Sequence, residues 1–129
     1  VNGTYEFFTR DELCCKHCEQ CHMNGHFMGE IDAMRAELDF PMTPSSAYRC
    51  LNHPDEINKD EPGAHTFGRA IDLLLNRSQA YQVMQYATTK GWRVGLKQKP
   101  GTTNAQRFIH LDNMTVDDGE RFGSPLWTY

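Results

Sequence analysis

Apolar residues recur every three or four positions at Phe27, Ile31, Met34 and Leu38, the period that lines one face of an α-helix. The spacing predicts an amphipathic helix over residues 27–38, and Pro41 and Pro44 bar its continuation. A second run sets Ala80, Val83, Met84 and Ala87 on one face of a helix over residues 79–90. Ser78 stands where an N-cap is needed, and Gly91 where a C-terminal glycine is favoured. Both apolar stripes are read as core-facing. Thr9 opens "TRDE", a capping-box pattern that predicts a short helical turn. Strand character is found in "SSAYRC" at 45–50, the apolar end of "GRAIDLLL" at 68–75, "WRVGL" at 92–96 and "RFIHLD" at 107–112. "LNHPDEINKDEPG" and "KQKPGTTNAQ" read as loops. The tail residues Trp127 and Tyr129 are expected to pack back on the body. Helices and short strands interspersed with tight turns predict an α+β fold, with a small antiparallel sheet and two main helices.

The 129 residues are 39% hydrophobic and 23% charged, which suits one globular domain over 1–129. A formal net charge of −4 argues against a general nucleic-acid binder, which needs a basic surface. No apolar run approaches the ~18 residues of a membrane-spanning helix, so membrane insertion is not expected. The start "VNGTYEFFTRDEL" shows neither the basic end nor the apolar centre of a signal peptide. No glycine-rich phosphate loop is present. Sequons begin at Asn2, Asn76 and Asn113, and motifs this short arise by chance.

Two anomalies carry chemistry. In "GAHTFGRAID", Asp72 interrupts an apolar strand seven residues after His65. A straight strand would hold such positions roughly 23 Å apart, and a straight helix roughly 10 Å. They can share an ion only if the chain bends, and Gly68 and Gly63 supply bending points. A carboxylate on an apolar strand is costly unless paired or metal-bound. In "RFIHLD", alternation places Phe108, His110 and Asp112 on one strand face. Each pattern alone fits a loop histidine or a surface His–Asp pair. Taken together, His65, Asp72 and His110 make a ligand set that zinc accepts, with a fourth position left for water.

The combination "SAYRC…GAHTFGRAIDLLL…RFIHLD" with the terminal "WTY" resembles the zinc D-Ala-D-Ala carboxypeptidase and L-alanyl-D-glutamate endopeptidase group, which includes the hedgehog signalling domain. The likeness is closest to a branch of phage and bacterial peptidoglycan peptidases. It implies a hedgehog/DD-peptidase-like single domain in which His65, Asp72 and His110 hold one catalytic Zn2+. It further implies that Arg49 holds substrate or the developing oxyanion, as suits a guanidinium beside negative charge. Gly68, Arg69 and Ala70 match the framework of the zinc loop. Relatives place the general base at positions occupied here by Arg107 or Phe108. The base role therefore falls to Asp112, whose alternatives are orienting His110 or binding the substrate amine. The implied function is hydrolysis of an amide bond in a peptidoglycan stem peptide by a monomeric, phage-encoded, endolysin-like enzyme. It would pass from host cytoplasm to periplasm or cell wall, or travel with the virion. The alternative is a catalytically silent, hedgehog-like zinc-containing binding module.

"CCKHCEQCHMNGH" crowds Cys14, Cys15, Cys18 and Cys21 with His17, His22 and His26. Cys15, Cys18 and Cys21 at C-x-x-C spacing make part of a second, structural metal site, for which Cys50, His22 or His26 could complete a tetrahedron. The competing reading is a set of buried or reactive thiols with one disulfide.

Overall fold

The computed structural model describes residues 5–129, so the sequon at Asn2 lies outside the described residues. Thr9 and Glu12 close a reciprocal capping box on helix α1 (Arg10–Leu13), as the sequence pattern predicts. Helix α2 (Gly25–Leu38) begins two residues before the periodic run. Asn24 is its N-cap and accepts the Phe27 N–H at 2.9 Å, which satisfies a donor the first turn leaves unpaired. Phe27, Met28, Ile31 and Met34 are fully buried. Helix α3 spans Arg77–Lys90 and is capped by Asn76 rather than Ser78, without a side-chain cap bond. Gly91 ends it with φ +73°, as its position past the apolar run suggests.

The strands are β1 (Pro44–Ser46), β2 (Ala70–Leu73), β3 (Arg93–Lys97), β4 (Phe108–Asp112) and β5 (Leu126–Thr128). They form one sheet in the order β1-β2-β4-β3-β5. Four strands are antiparallel to their neighbours, as expected, but β5 runs parallel to β3. The sheet is therefore mixed. The long return from β4 brings the tail up beside β3 in the same direction.

Alternation divides the sheet into two faces. Ile71, Leu73, Ile109, Leu111 and Val94 pack with α2 and α3 into the main core. Truncating one of these, such as Ile109→Ala, costs about 2–5 kcal/mol by the usual transfer and cavity terms. The other face carries a row of residues in register across all five strands: Ser46, Asp72, His110, Gly95 and Trp127. A second row sets Ala70, Asp112 and Arg93 side by side. The first strand is shorter than "SSAYRC" suggests: after Ser46 the chain leaves the sheet and carries Arg49 over this polar face.

Candidate metal centre

Asp72 and His110 are direct cross-strand partners on β2 and β4, so the sheet register alone brings them together. His65 arrives from a turn of 3-10 helix, Ala64–Phe67, which Gly68 ends at φ +67°. Gly68 does more than bend the chain. A Cβ there would come within 1.9 Å of the His22 carbonyl oxygen, and its own carbonyl accepts the Asn24 N–H at 2.7 Å. Gly63 does not adopt a left-handed conformation (φ −81°). It is small because Glu56 and Lys59 pass close by.

The three residues are 4–6% exposed, and one ligand atom from each lies within 4.8 Å of the others. Hydrogen-bond logic shows which atoms converge. His65 Nδ1 lies 2.7 Å from the Ala47 carbonyl oxygen. A carbonyl only accepts, so Nδ1 carries the hydrogen and the Nε2 lone pair faces Asp72 Oδ1 at 3.3 Å. His110 Nε2 lies 2.6 Å from Asp112 Oδ2, so that nitrogen donates outward and Nδ1 faces Asp72 Oδ1 at 2.9 Å. Two imidazole nitrogens and a carboxylate oxygen thus meet at one point. Such acceptors repel unless a cation or proton lies between them, and their types suit zinc. Each histidine has its outer nitrogen fixed by an acceptor, the support that metal-bound histidines require.

The ionisation of the cluster has the same cause. Burial lowers the pKa of His65. Burial also acts to lower His110, but hydrogen bonds to Asp112 and Asp72 outweigh it and the net shift is upward. Burial acts to raise Asp72, yet the two histidines hold it far below the ordinary carboxylate range.

Asp112 is fully buried, and it lies on the outer side of the His110 ring. Both its oxygens are engaged by Arg93, Nε at 2.9 Å and Nη2 at 3.0 Å, and Oδ1 also accepts the Met114 N–H. These contacts place Asp112 between the Arg93 guanidinium and the outer nitrogen of His110. A carboxylate held by a bidentate arginine and a histidine has no free oxygen toward the ligand side.

Arg49 reaches the centre from the segment after β1. Its guanidinium donates to Ser46 Oγ at 2.9 Å, Glu56 Oε2 at 3.0 Å and Asp72 Oδ2 at 3.4 Å. Glu56 escapes a sequence reading because it sits in a polar loop, yet it is 4% exposed. It also accepts from Lys59 and from the Gly63 N–H. These partners outweigh burial and lower its pKa. Arg93 was equally hidden, since only strand register sets it opposite Asp112. Trp127 lies on Gly95, where any Cβ would meet the indole at 2.6 Å, and packs against the His110 ring at 5.1 Å between centroids. The tail therefore forms one wall of the centre, and Tyr129 lines the same cavity.

That cavity has a volume of about 520 Å³ and opens over His65, Asp72 and His110. Two further carboxylates line it, Asp55 and Glu61. Glu61 pairs with Arg121 at 3.2 Å, whereas Asp55 stands 3.9 Å from Arg49.

The cysteines depart from the expected grouping. Cys21 is joined to Cys14 in a disulfide, so it is not a companion of Cys15 and Cys18. His22 sits against Tyr48 and Gln20, and His26 pairs with Glu30 on the surface of α2. Cys15, Cys18 and Cys50 do converge, within 4.8 Å of one another. Burial acts to raise the Cys15 thiol, but hydrogen bonds from the Cys50, Cys18 and His17 backbone bring it down to about 7.

The buried His-Asp-His cluster, able to hold a metal ion, opens to a cavity on one face of the mixed sheet. The sequence model of the Peptidase M15 family matches residues 6–112, and the chain belongs to this family of zinc-dependent peptidases. No curated protein sequence matches it closely enough to count as a relative.

Proposed function

We propose that the protein is a zinc peptidase that cleaves an amide bond in peptidoglycan stem peptides, with His65, Asp72 and His110 as the metal ligands. The observation that carries this reading is the convergence of His65 Nε2, Asp72 Oδ1 and His110 Nδ1 beneath an open cavity. Zinc in such a site acts as a Lewis acid and makes water acidic enough to attack a carbonyl near neutral pH.

The chain's own residues then divide the remaining work. Arg49 presents a guanidinium edge at the cavity, already held by Ser46 and Glu56, and stabilises negative charge as it develops on the scissile oxygen. Apart from the proposed ligand Asp72, Asp55 is the lining carboxylate nearest that guanidinium, 3.9 Å away, and it accepts the proton of the attacking water and returns it to the leaving amine. Asp112 is a positioning residue: with Arg93 it holds His110 in the tautomer that turns Nδ1 inward. Trp127 closes the back of the site. The cavity opens over the proposed ligands, and cell-wall stem peptides are the substrates of the group the motifs resemble. Among the described residues no helix is long and apolar enough to cross a membrane.

The zinc-loaded chain, incubated with purified peptidoglycan and with defined stem peptides, is expected to release fragments whose masses identify the bond cut. Zinc bound without any cleavage would instead favour the silent binding module. Asp55→Asn is expected to lower kcat by roughly 10²–10⁴ while metal content stays the same. Full activity in that variant assigns the base elsewhere.

A further inference from the structure

We infer that Cys15, Cys18 and Cys50, completed by His17, form a second metal site that takes zinc and pins the N-terminal segment to the residue after Arg49. The three sulfurs lie within 4.8 Å of one another. Tetrahedral zinc with ~2.3 Å bonds to sulfur sets its ligand sulfurs about 3.8 Å apart, so a contraction of less than about 1 Å closes the site. The neighbouring disulfide does not consume any of them: Cys14 pairs with Cys21, and Cys15, Cys18 and Cys50 remain as thiols.

The backbone is shaped for this arrangement. The Cys15 carbonyl accepts the Glu19 N–H at 2.8 Å, and the Cys15 N–H donates to the Gln20 carbonyl at 2.8 Å. Glu19 takes φ +64°, a left-handed conformation that costs a residue with a side chain some stability. The turn presents Cys15 and Cys18 on one side, and Cys50 meets them from the segment beyond β1. Two backbone N–H groups point at Cys15 Sγ, from His17 at 3.4 Å and Cys50 at 3.3 Å. Donors aimed at sulfur favour the thiolate, the form that binds metal.

His17 supplies the fourth donor. Its Nδ1 lies 3.4 Å from Cys50 Sγ, close to the roughly 3.6 Å edge that one nitrogen and one sulfur share around tetrahedral zinc. Its ring is exposed, so rotation toward Cys15 and Cys18 meets little obstruction. Three thiolates and an imidazole select zinc over the harder divalent ions. Because Cys50 adjoins Arg49, and the Tyr48 N–H also bonds the Leu13 carbonyl at 3.3 Å, the ion fixes the segment that delivers Arg49 to the cavity.

The test is metal counting on the full chain, purified in zinc under reductant, which is independent of any peptidase activity. The expected result is about two zinc ions per chain, one of them retained in His110→Ala and the other in Cys18→Ser/Cys50→Ser. Cobalt-loaded wild type should show thiolate-to-cobalt charge-transfer absorption in the near ultraviolet, and His17→Ala should weaken that site by about tenfold or more. One zinc per chain with no such absorption, and with Cys15, Cys18 and Cys50 all reacting freely with a thiol reagent, overturns the proposal. Unchanged affinity in His17→Ala overturns the four-ligand assignment. The wild-type cobalt spectrum decides the matter even where the double cysteine variant does not fold.

Discussion

The two candidate metal clusters are built in opposite ways. His65, Asp72 and His110 stand on or beside a five-stranded sheet, and two of them are locked by cross-strand register. Each histidine is also fixed from behind, by the Ala47 carbonyl and by Asp112. Cys15, Cys18 and Cys50 stand outside the helices and strands, where backbone N–H groups point at Cys15 Sγ and the exposed His17 lies beside Cys50. The sheet cluster has its donors aimed before a cation arrives, which suits chemistry that must not reorganise. The sulfur cluster gathers distant segments, and an ion there contributes to folding itself. The proposed catalytic ligands are thus supported from behind, and the proposed structural ligands are adaptable.

This contrast can be tested from its strongest point downward. His110→Ala removes a sheet ligand. It is expected to lose one zinc equivalent and to cut peptidase activity by roughly a thousandfold or more, because the Lewis acid supplies several kcal/mol of barrier lowering. Metal analysis beside an activity assay checks this. Arg49→Ala should lower kcat by about 10²–10³ with the sheet zinc retained, the usual loss when an oxyanion donor is removed. An equal loss of zinc would make Arg49 a structural residue instead.

Asp112→Asn separates positioning from proton transfer. A positioning role predicts a roughly 10–100-fold drop in zinc affinity, with activity recovered by added zinc. A base role predicts lost activity at unchanged affinity, and a zinc titration followed by both readouts distinguishes the two.

The smallest expected effect belongs to Glu56→Gln. Removing a buried, charge-assisted partner of Arg49 and Lys59 should cost about 2 kcal/mol of stability at neutral pH. The folded state holds the Glu56 pKa below its ordinary value. Its contribution is therefore complete above the ordinary carboxylate range and is lost as pH falls through the lowered folded value. Denaturant melts of both proteins should differ at pH 7 and converge in acid. A constant difference down to strongly acid pH would refute the ionic account.

Much of the fold was legible because it is written in local period. The α2 and α3 stripes and the alternation of "RFIHLD" need no distant partner to be recognised. Helix starts were less legible: Asn24 and Asn76 both lie just outside the apolar pattern, where capping competes with other local turns. At the site, Asp72 and His110 stood out as polar residues on apolar strands. Asp112 was noticed for the same reason, but alternation says only that it shares a face with His110. It cannot say on which side of the imidazole the carboxylate will lie, and Arg93 from a third strand decided that.

The order of residues was enough to mark His65, Asp72 and His110 as a candidate set and to place the two helices and four of the strands, since each depends on neighbours within a few positions. Long-range pairing set the rest. The parallel seat of β5 puts Trp127 over Gly95 and against His110. The polar loop folds Glu56 under Arg49, and the N-terminal turn sends Cys21 to Cys14 while Cys15 and Cys18 meet Cys50. Such contacts join segments tens of residues apart. Their choice depends on which surfaces the packed sheet and helices leave available, and no local pattern encodes that.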